Sequence, residues 1–293
     1  MDLKISVCVV SYNHEKYIRE CLSSLVTQET KFPFEVIVGD DGSTDGTRAI
    51  IQEFASNYPN IVKPIYHVTN IGPTKNYLAV HAAAKGEYIA HVDGDDYALP
   101  GKLVALVEAM DSNPEVNMAW HRLRILDNNT GELCDDLIDV KKQPAGGFLK
   151  SDLLACGSVG GHSASVYRSS TSSKIDLLDS EMMDFYFSVE RLGSGRGLWI
   201  DGFYGVYRRN VGLMMADRMK PRLFFKAHLL HFLKKYPNYR RSINSLAILL
   251  LLADIKNGRR LVFFELWRKS FHLLSIFEFI KRIALYRILR LPN

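Results

Sequence analysis

The chain opens with apolar residues in a block rather than in alternation. Lys4-Ile5-Ser6-Val7-Cys8-Val9-Val10 is nearly continuous and β-branched, the mark of a strand covered on both faces. A polar loop, Ser11-Tyr12-Asn13-His14, interrupts it. Tyr17, Ile18, Cys21, Leu22, Leu25 and Val26 then recur at helical spacing. The same alternation repeats along the next hundred or so residues. Residues 34–39 predict a second strand. Ile50, Ile51, Phe54 and Ala55 predict the inner face of a helix, with Asp45 or Thr47 as its N-cap. Residues 62–68 read as a third strand, an Ala-rich helix follows and ends near Gly86, residues 87–92 read as a fourth strand, and residues 103–110 as a further helix. Strand and helix alternating through short links predict a parallel sheet in a doubly wound α/β fold.

Beyond that point the pattern loosens. Residues 116–126 predict a strand, in a hairpin closed near residues 128–131; Asn128-Asn129-Thr130 matches a glycosylation sequon and is read as a turn. Residues 135–147 read as a surface loop, 163–168 as a short strand, 169–173 as a polar break, 182–192 as a helix, and 198–207 as extended with a turn at Asp201-Gly202. From Arg218 the chain becomes helical and rich in Leu, Phe, Lys and Arg, which divides it into residues 1–217 and a basic helical region, 218–293. The apolar run 245–253 falls short of the ~20 residues a spanning helix needs. Asp254 and Lys256 close it, so it reads as a buried helix. Residues 263–291 predict an amphipathic helix. Its polar stripe is Arg268, His272, Ser275, Glu278 and Arg282, and its wide apolar face is Phe271, Leu274, Phe277, Phe279, Ile280, Ile283, Tyr286 and Leu289.

Charge sharpens that division. The net charge of +5 splits into a tail from Arg218 with 17 Lys and Arg against 3 Asp and Glu, and a remainder with 20 against 29. An acidic body with a basic tail implies two jobs. A basic helix with bulky apolar residues suits a membrane interface, where each Lys or Arg adds ~1 kcal/mol near anionic lipid. The competing reading packs this helix on the rest of the chain or on another copy in a homo-oligomer. Nucleic acid is not expected as a partner, because no known reader motif accompanies the basic residues. The four cysteines form no CxxC pair; Cys8 and Cys21 lie in apolar patterns and read as core thiols, which suits a reducing compartment. Met1-Asp2-Leu3-Lys4 runs into the first strand without a signal-peptide layout. The expected location is therefore cytoplasmic, peripheral on the cytoplasmic face of a membrane.

Candidate chemistry collects at the carboxyl ends of the predicted strands, where open α/β sheets bind ligands. The densest cluster is His91-Val92-Asp93-Gly94-Asp95-Asp96. Its like charges call for a cation, and carboxylate oxygens suit Mg²⁺ or Mn²⁺. An EF-hand is excluded, because the twelfth position counted from Asp93 is Val104. Asp40-Asp41-Gly42-Ser43 ends the second strand, where a carboxylate can accept a hydrogen bond from a base or ribose and the next helix start favours anions. Asn70-x-Gly72-x-x-Lys75-Asn76 offers a cation for a diphosphate. Taken singly, each is an ordinary turn or helix cap. There is no GxxxxGK[ST] loop, GxSxG elbow, HExxH or zinc-type Cys/His spacing.

In this order, at successive strand ends, these stretches resemble the family-2 inverting glycosyltransferases, which have the GT-A nucleotide-sugar-binding fold. The resemblance covers about residues 4–212 and rests on residues 7–13, 36–46, 70–76 and 86–96. It implies that Val10, Ser11 and Asp41 hold the nucleobase and ribose, with Asn13, Asp40 and Gly94 beside them. Lys75 stands where the family usually has Arg, keeping the charge but losing the bidentate fork. Asp93 and Asp95 match the metal-binding Asp-x-Asp. Asp95 is then the direct ligand of Mn²⁺ or Mg²⁺, Asp93 is shared between metal and ribose, and Asp96 supports them. An acidic residue before an aromatic, then a helix and a Tyr-Arg strand end, is matched by Glu181-Met182-Met183-Asp184-Phe185 and Tyr207-Arg208. Asp184 is the implied catalytic base and Glu181 its alternate. The His that often follows the Tyr-Arg pair is replaced by Arg209-Asn210, which leaves Arg208 or Arg209 to meet the diphosphate. His162 is a candidate for the acceptor pocket. The implied reaction moves a sugar from a nucleoside-diphosphate sugar, with uridine favoured, to a glycan or lipid-linked acceptor with inversion, in bacterial-type surface polysaccharide or glycolipid assembly. The alternatives are a nucleotidyltransferase and a catalytically inactive nucleotide-sugar-binding or membrane scaffold protein.

Overall fold

The computed structural model describes residues 2–171, 175–178, 181–211 and 219–289. The expected division near residue 217 lies outside the described residues, as does the end of the polar break at 169–173.

The first half forms as the apolar pattern predicts. Strands β1 (Ile5–Ser11), β2 (Phe34–Asp40), β3 (Val62–Tyr66) and β4 (Tyr88–Asp93) run parallel in the order β3-β2-β1-β4. Helices α1 (Ile18–Val26), α2 (Thr47–Asn57), α3 (Pro73–Ala83) and α4 (Lys102–Asp111) connect or follow them. Gly46 occupies the N-cap of α2, while the Asp45 carboxylate accepts from the Thr47 N–H at 3.0 Å. The register sets Val10 beside Asp93 and Ser11 beside Asp40, so the polar loops begin side by side. Packing of α3 on β2 is tight at one point. A Cβ on Gly39 would lie 2.2 Å from Asn76 Oδ1, and Asn76 Nδ2 instead donates to the Gly39 carbonyl at 3.0 Å.

The sheet continues through β8 (Ser165–Arg168), which is antiparallel to β4, then β6 (Val116–Asp127), β9 (Arg196–Arg209) and the short β5 (Tyr97–Ala98). β7 (Leu133–Asp135) makes the expected hairpin with β6, closed by Gly131 N–H donating to the Asp127 carbonyl at 2.8 Å. The turn expected at Asp201-Gly202 is a bulge inside one long strand. The pairing of His121 with Ile200 jumps to Arg122 with Phe203, and Gly202 takes a φ of 140°. A bulge re-aims a strand without ending it. Here it carries β9 on to the acidic loop.

Both faces of the sheet are covered. Ile5, Val7 and Val9 pack with Leu22, Ile51, Phe54, Leu103 and Leu106 of α1, α2 and α4. On the other face Cys8, Ile37 and Ile89 join Tyr77 and Val80 of α3, Trp120, and Phe185 and Tyr186 of α6 (Asp184–Leu192). The same core takes Leu229 and Phe232 from α7 (Lys220–Lys235), Ile243 and Leu246 from α8 (Arg240–Lys256), and Leu266 from α9 (Phe264–Ser270). Full burial of a Leu or Phe side chain stabilises by ~1.5–3 kcal/mol, so the C-terminal helices complete this core. Α5 (Lys150–Cys156) lies beneath α8; of the run 245–253 expected to be buried, residues 245–247 are, while the rest are half-buried and Leu252 is exposed, because one face of α8 is turned outward.

The single amphipathic helix expected over residues 263–291 is instead three short ones: α9, α10 (Ser275–Lys281) and α11 (Ile283–Ile288). Phe271 leaves α9 with φ −44° and ψ 129°. The turn then satisfies its own polar groups, with Leu274 N–H donating to His272 Nδ1 and Ser275 N–H to the His272 carbonyl. Hydrophobic periodicity carries straight through such a break, because the apolar residues continue on both sides of it. Among the described residues, no helix is long and apolar enough to cross a membrane.

Candidate nucleotide-sugar site

The three carboxylates at the end of β4 have different surroundings. Asp93 closes the strand, and its Oδ1 lies 3.1 Å from His91 Nε2. His91 Nδ1 lies 3.0 Å from His81 Nε2, and His81 Nδ1 lies 2.8 Å from the Tyr167 hydroxyl. One set of tautomers satisfies this buried line. Tyr167 donates to His81, His81 to His91, and His91 to Asp93. Burial alone would raise the Asp93 carboxyl, but the His91 hydrogen bond prevails and holds it below the usual carboxylate range. Burial also pushes His91 down, to about 4, which keeps the ring neutral and able to donate. Asp95 is pushed up by its own burial and by the charge of Asp93. Asp96 is fully buried and pushed up further by burial and by both neighbours. It accepts from the Ser163 hydroxyl and, at 2.8 Å, from the Arg208 N–H, so it ties β9 and the 158–164 loop to the acidic turn. Buried Lys102 donates to the Ser163 carbonyl at 2.6 Å from below.

The loops after β1 and β2 lock to each other. Asn13, in a left-handed conformation at φ 54°, receives the Thr44 N–H on its side-chain oxygen at 2.8 Å and donates its own N–H to Ser43 Oγ. Asp40 is fully buried, paired with Arg48 at 2.7 Å and accepting from the Ser43 N–H. Asp41 accepts the Ile71 and Gly72 N–H groups, one on each oxygen, at 2.7 and 3.1 Å. Gly94 passes so close that a Cβ there would sit 2.9 Å from both the Val10 carbonyl and His14 Nδ1. Two buried polar atoms beside it, Ser11 Oγ and His14 Nδ1, have no hydrogen-bond partner among the described residues. Lys75 stands exposed in the first turn of α3. Arg208 is committed elsewhere: its guanidinium pairs with Glu20, donates to the Asp95 carbonyl at 3.2 Å and lies over the Tyr17 and Tyr97 rings. Arg209 and Asn210 both bond Asp127.

Glu181 and Asp184 separate clearly. The Glu181 carboxylate is held by the Thr74 hydroxyl and, at 3.2 Å, by the Thr74 N–H, at the start of α3. The Thr74 hydroxyl also accepts the Met182 N–H at 2.8 Å, and His228 Nε2 lies 3.1 Å from the Glu181 carbonyl. Asp184 begins α6, accepts from the Phe185 N–H at 2.7 Å, and faces a cavity of about 550 Å³. Val10, Asp93, His162, Ser163 and Tyr207 line that cavity with Asp184. Its remaining walls are mainly apolar, with Leu123, Ile125, Ile138, Val159, Met182 and Phe187 among them.

A divalent cation fits this donor set. Of the cluster His91, Asp93 and His162, whose candidate ligand atoms lie within 4.8 Å of one another, His91 has both nitrogens taken by His81 and Asp93, which leaves Asp93 and His162, with His162 Nδ1 3.8 Å from Asp93 Oδ2. His162 Nε2 is buried without a hydrogen-bond partner among the described residues. Carboxylate oxygen with one imidazole nitrogen suits Mn²⁺ and tolerates Mg²⁺. The sequence reading passed over His91, His81, Tyr167 and Lys102 as site residues. The available signal was a His inside the apolar run Tyr88-Ile89-Ala90-His91-Val92, a polar residue in a strand covered on both faces.

A parallel half, β3-β2-β1-β4, continued through β8, β6, β9 and β5 in one sheet with helices on both faces, is the architecture of the GT-A glycosyltransferase fold. The profile described as Glycosyl transferase family 2 matches residues 6–168, and the chain belongs to that family. An uncharacterised protein of Mycobacterium tuberculosis is 46% identical over 123 residues, 42% of this chain and 36% of that one. The abequosyltransferase of Salmonella typhimurium is 30% identical over 149 residues, 50% of this chain and 42% of its own. The match thus spans about a third to two fifths of these relatives' length. Among solved structures, Staphylococcus aureus TarS in complex with UDP-GlcNAc superposes with a TM-score of 0.67 at 22% identity, over 99% of this chain and 82% of that one. A mannosyltransferase of Pyrobaculum calidifontis in complex with GDP-Man and Mn²⁺ gives 0.59 at 15% identity, over 99% and 85%.

Proposed function

We propose that the protein transfers a sugar from a nucleoside-diphosphate sugar to the hydroxyl of a glycan or lipid-linked acceptor, with inversion, in the assembly of a bacterial-type surface polysaccharide or glycolipid. One observation carries this reading: Asp184 and Asp93 line the same cavity from opposite parts of the chain. Val10, Ser11, Asn13, Asp40, Asp41 and Gly94 build the nucleoside side. The unpartnered Ser11 Oγ and His14 Nδ1 leave polar atoms for a ligand to satisfy. The better-superposing neighbour was solved with UDP-GlcNAc, which favours uridine. Lys75 is, of the three expected diphosphate partners, the one with no ion pair to an acid among the described residues, since Arg208 and Arg209 are bound to Glu20 and Asp127.

Asp95, Asp93 and His162 would hold Mn²⁺ or Mg²⁺, and such an ion offsets the charge that grows on a leaving diphosphate. Asp184 takes the proton of the acceptor hydroxyl. The hydroxyl oxygen bonds the anomeric carbon as the bond from that carbon to the diphosphate oxygen breaks. One displacement from the opposite face inverts the centre. Glu181 is a poorer base, because Thr74 occupies its carboxylate.

The test is turnover of nucleotide sugars with Mn²⁺, following nucleoside-diphosphate release. Asp184→Asn is expected to lower kcat by ~10²–10⁴, the usual worth of a general base, with donor affinity kept. Undiminished turnover would remove Asp184 from the role. Release of pyrophosphate instead would indicate a nucleotidyltransferase. Binding of a nucleotide sugar without turnover of any would indicate an inactive binding or scaffold protein.

A further inference from the structure

Helices α9 and α10 bury several polar side chains and leave large apolar ones outside. Ser270, Ser275, Glu278 and Arg282 face the protein. Ser270 and Ser275 are fully buried, and Asn244 of α8 donates to Ser270 Oγ and to the Trp267 carbonyl, both at 3.0 Å. Arg282 pairs with Asp152 of α5 at 2.7 Å and with Glu278, which also meets Arg241. The outer face is apolar: Phe264, Phe271, Leu273, Leu274, Phe277 and Ile280 are between 48 and 80% exposed. A helix packed at a water surface shows the reverse arrangement. Single exposed leucines are ordinary, but a continuous run of large apolar side chains marks a binding surface.

The same face is rimmed with positive charge. Arg268, Lys269 and Lys281 are exposed, and so are Arg259 and Arg260 just before α9. Both acids on α9–α11 are neutralised by partners, Glu265 by Lys226 and Lys269 and Glu278 by Arg241 and Arg282. A second copy of this chain, docking the same patch on itself, would bring these cations together. An anionic lipid surface accepts both the apolar centre and the cationic rim.

We propose that the outer face of α9–α11 seats in the surface of a bilayer containing anionic lipid, with no helix crossing it. Side chains of this kind enter an interface by ~5–10 Å. Α11 joins this face to the cavity. Ile283 is exposed at its first position, and Leu289, just past its end, lines the cavity. At a rise of ~1.5 Å per residue those six residues span ~9 Å. The cavity therefore lies within a short helix of the lipid. Where the sugar-transfer reading holds, its acceptor is the lipid-linked one. The docking surface itself does not rest on that reading.

The full-length protein is sedimented with vesicles of phosphatidylcholine alone and of equal parts phosphatidylcholine and phosphatidylglycerol. The expected result is binding about tenfold stronger to the mixed vesicles, falling about tenfold in Phe277→Ser/Ile280→Ser and severalfold in Arg268→Gln/Lys281→Gln. All four side chains are exposed, so circular dichroism and thermal unfolding should match the parent. Failure of the parent to bind mixed vesicles would overturn the proposal. So would a dimer in vesicle-free solution that Phe277→Ser/Ile280→Ser splits into monomers without any loss of lipid binding, since the face would then be a self-interface. Nucleoside-diphosphate release in vesicle-free solution reads the transfer site separately, so either proposal can fail while the other stands.

Discussion

Asp93 and Asp95 are two residues apart, yet their surroundings drive them in opposite directions. The line Tyr167–His81–His91 fixes which nitrogen faces Asp93 and keeps that carboxylate charged. Asp95 has no such donor, and burial together with the charge of Asp93 disfavours its ionised form. A cation relieves Asp95 more than Asp93. Asp95→Ala is therefore expected to abolish Mn²⁺-dependent binding of a nucleoside diphosphate, measured by calorimetry with and without chelator. If metal-dependent binding survives, the ion belongs to Asp93 and His162 instead. The carboxylates were legible in the sequence because four consecutive positions hold three of them. The histidine line was not, because its members are joined across 10 and 86 residues and only the fold stacks them. The same distance hid the occupation of Asp41, whose carboxylate binds the backbone of Ile71 and Gly72 thirty residues on.

At the level of elements, the strand–helix alternation up to α4 was readable because both faces of each strand are covered and the apolar runs are unbroken. The bulge in β9 was not, since Asp201-Gly202 has turn chemistry and only pairing with β6 keeps the strand continuous. The break between α9 and α10 escaped for a similar reason: periodicity locates an apolar stripe but not the side on which the protein lies. The contact between α3 and the segment leading into α6 also joins residues far apart, 107 positions in the case of Thr74 and Glu181. Thr74 ties the first turn of α3, which offers Lys75, to the segment that offers Asp184, alongside the stacking of Tyr77 on Phe187 at 3.8 Å. Thr74→Val strips the Glu181 carboxylate and the Met182 N–H of a partner, and each buried group left unsatisfied costs ~1–3 kcal/mol. The expected outcome is a Tm several degrees lower and a kcat reduced about tenfold as Asp184 loses its placement. A lower Tm with unchanged kcat would make the contact purely structural.

For the whole molecule, several histidines are buried neutral. Burial lowers His228 to about 4 and pushes His81 and His121 well below the ordinary value. Below pH 6.5 the unfolded chain takes up protons that these folded rings refuse, so stability present at pH 7 falls as the pH drops towards 4. For His228 alone the loss by pH 5 is roughly 2 kcal/mol. Tm should therefore fall by several degrees between pH 7 and 5, as calorimetry can check; a flat profile would show these rings titrating normally. His228 comes from the C-terminal helices and holds the Glu181 carbonyl, so acid loosens the two halves together. Their shared core has a further consequence. A membrane anchor on a flexible tether lets its enzyme swing and sample many distances from the lipid. Here Phe263, Leu266 and Leu285 are built into the same interior as the sheet, so the proposed seat would have no slack. Under the proposed lipid seat and the proposed role of Asp184, the cavity would ride at one fixed altitude and the molecule would work as a gauge, admitting hydroxyls held at that height above the bilayer and passing over those nearer the lipid or further out.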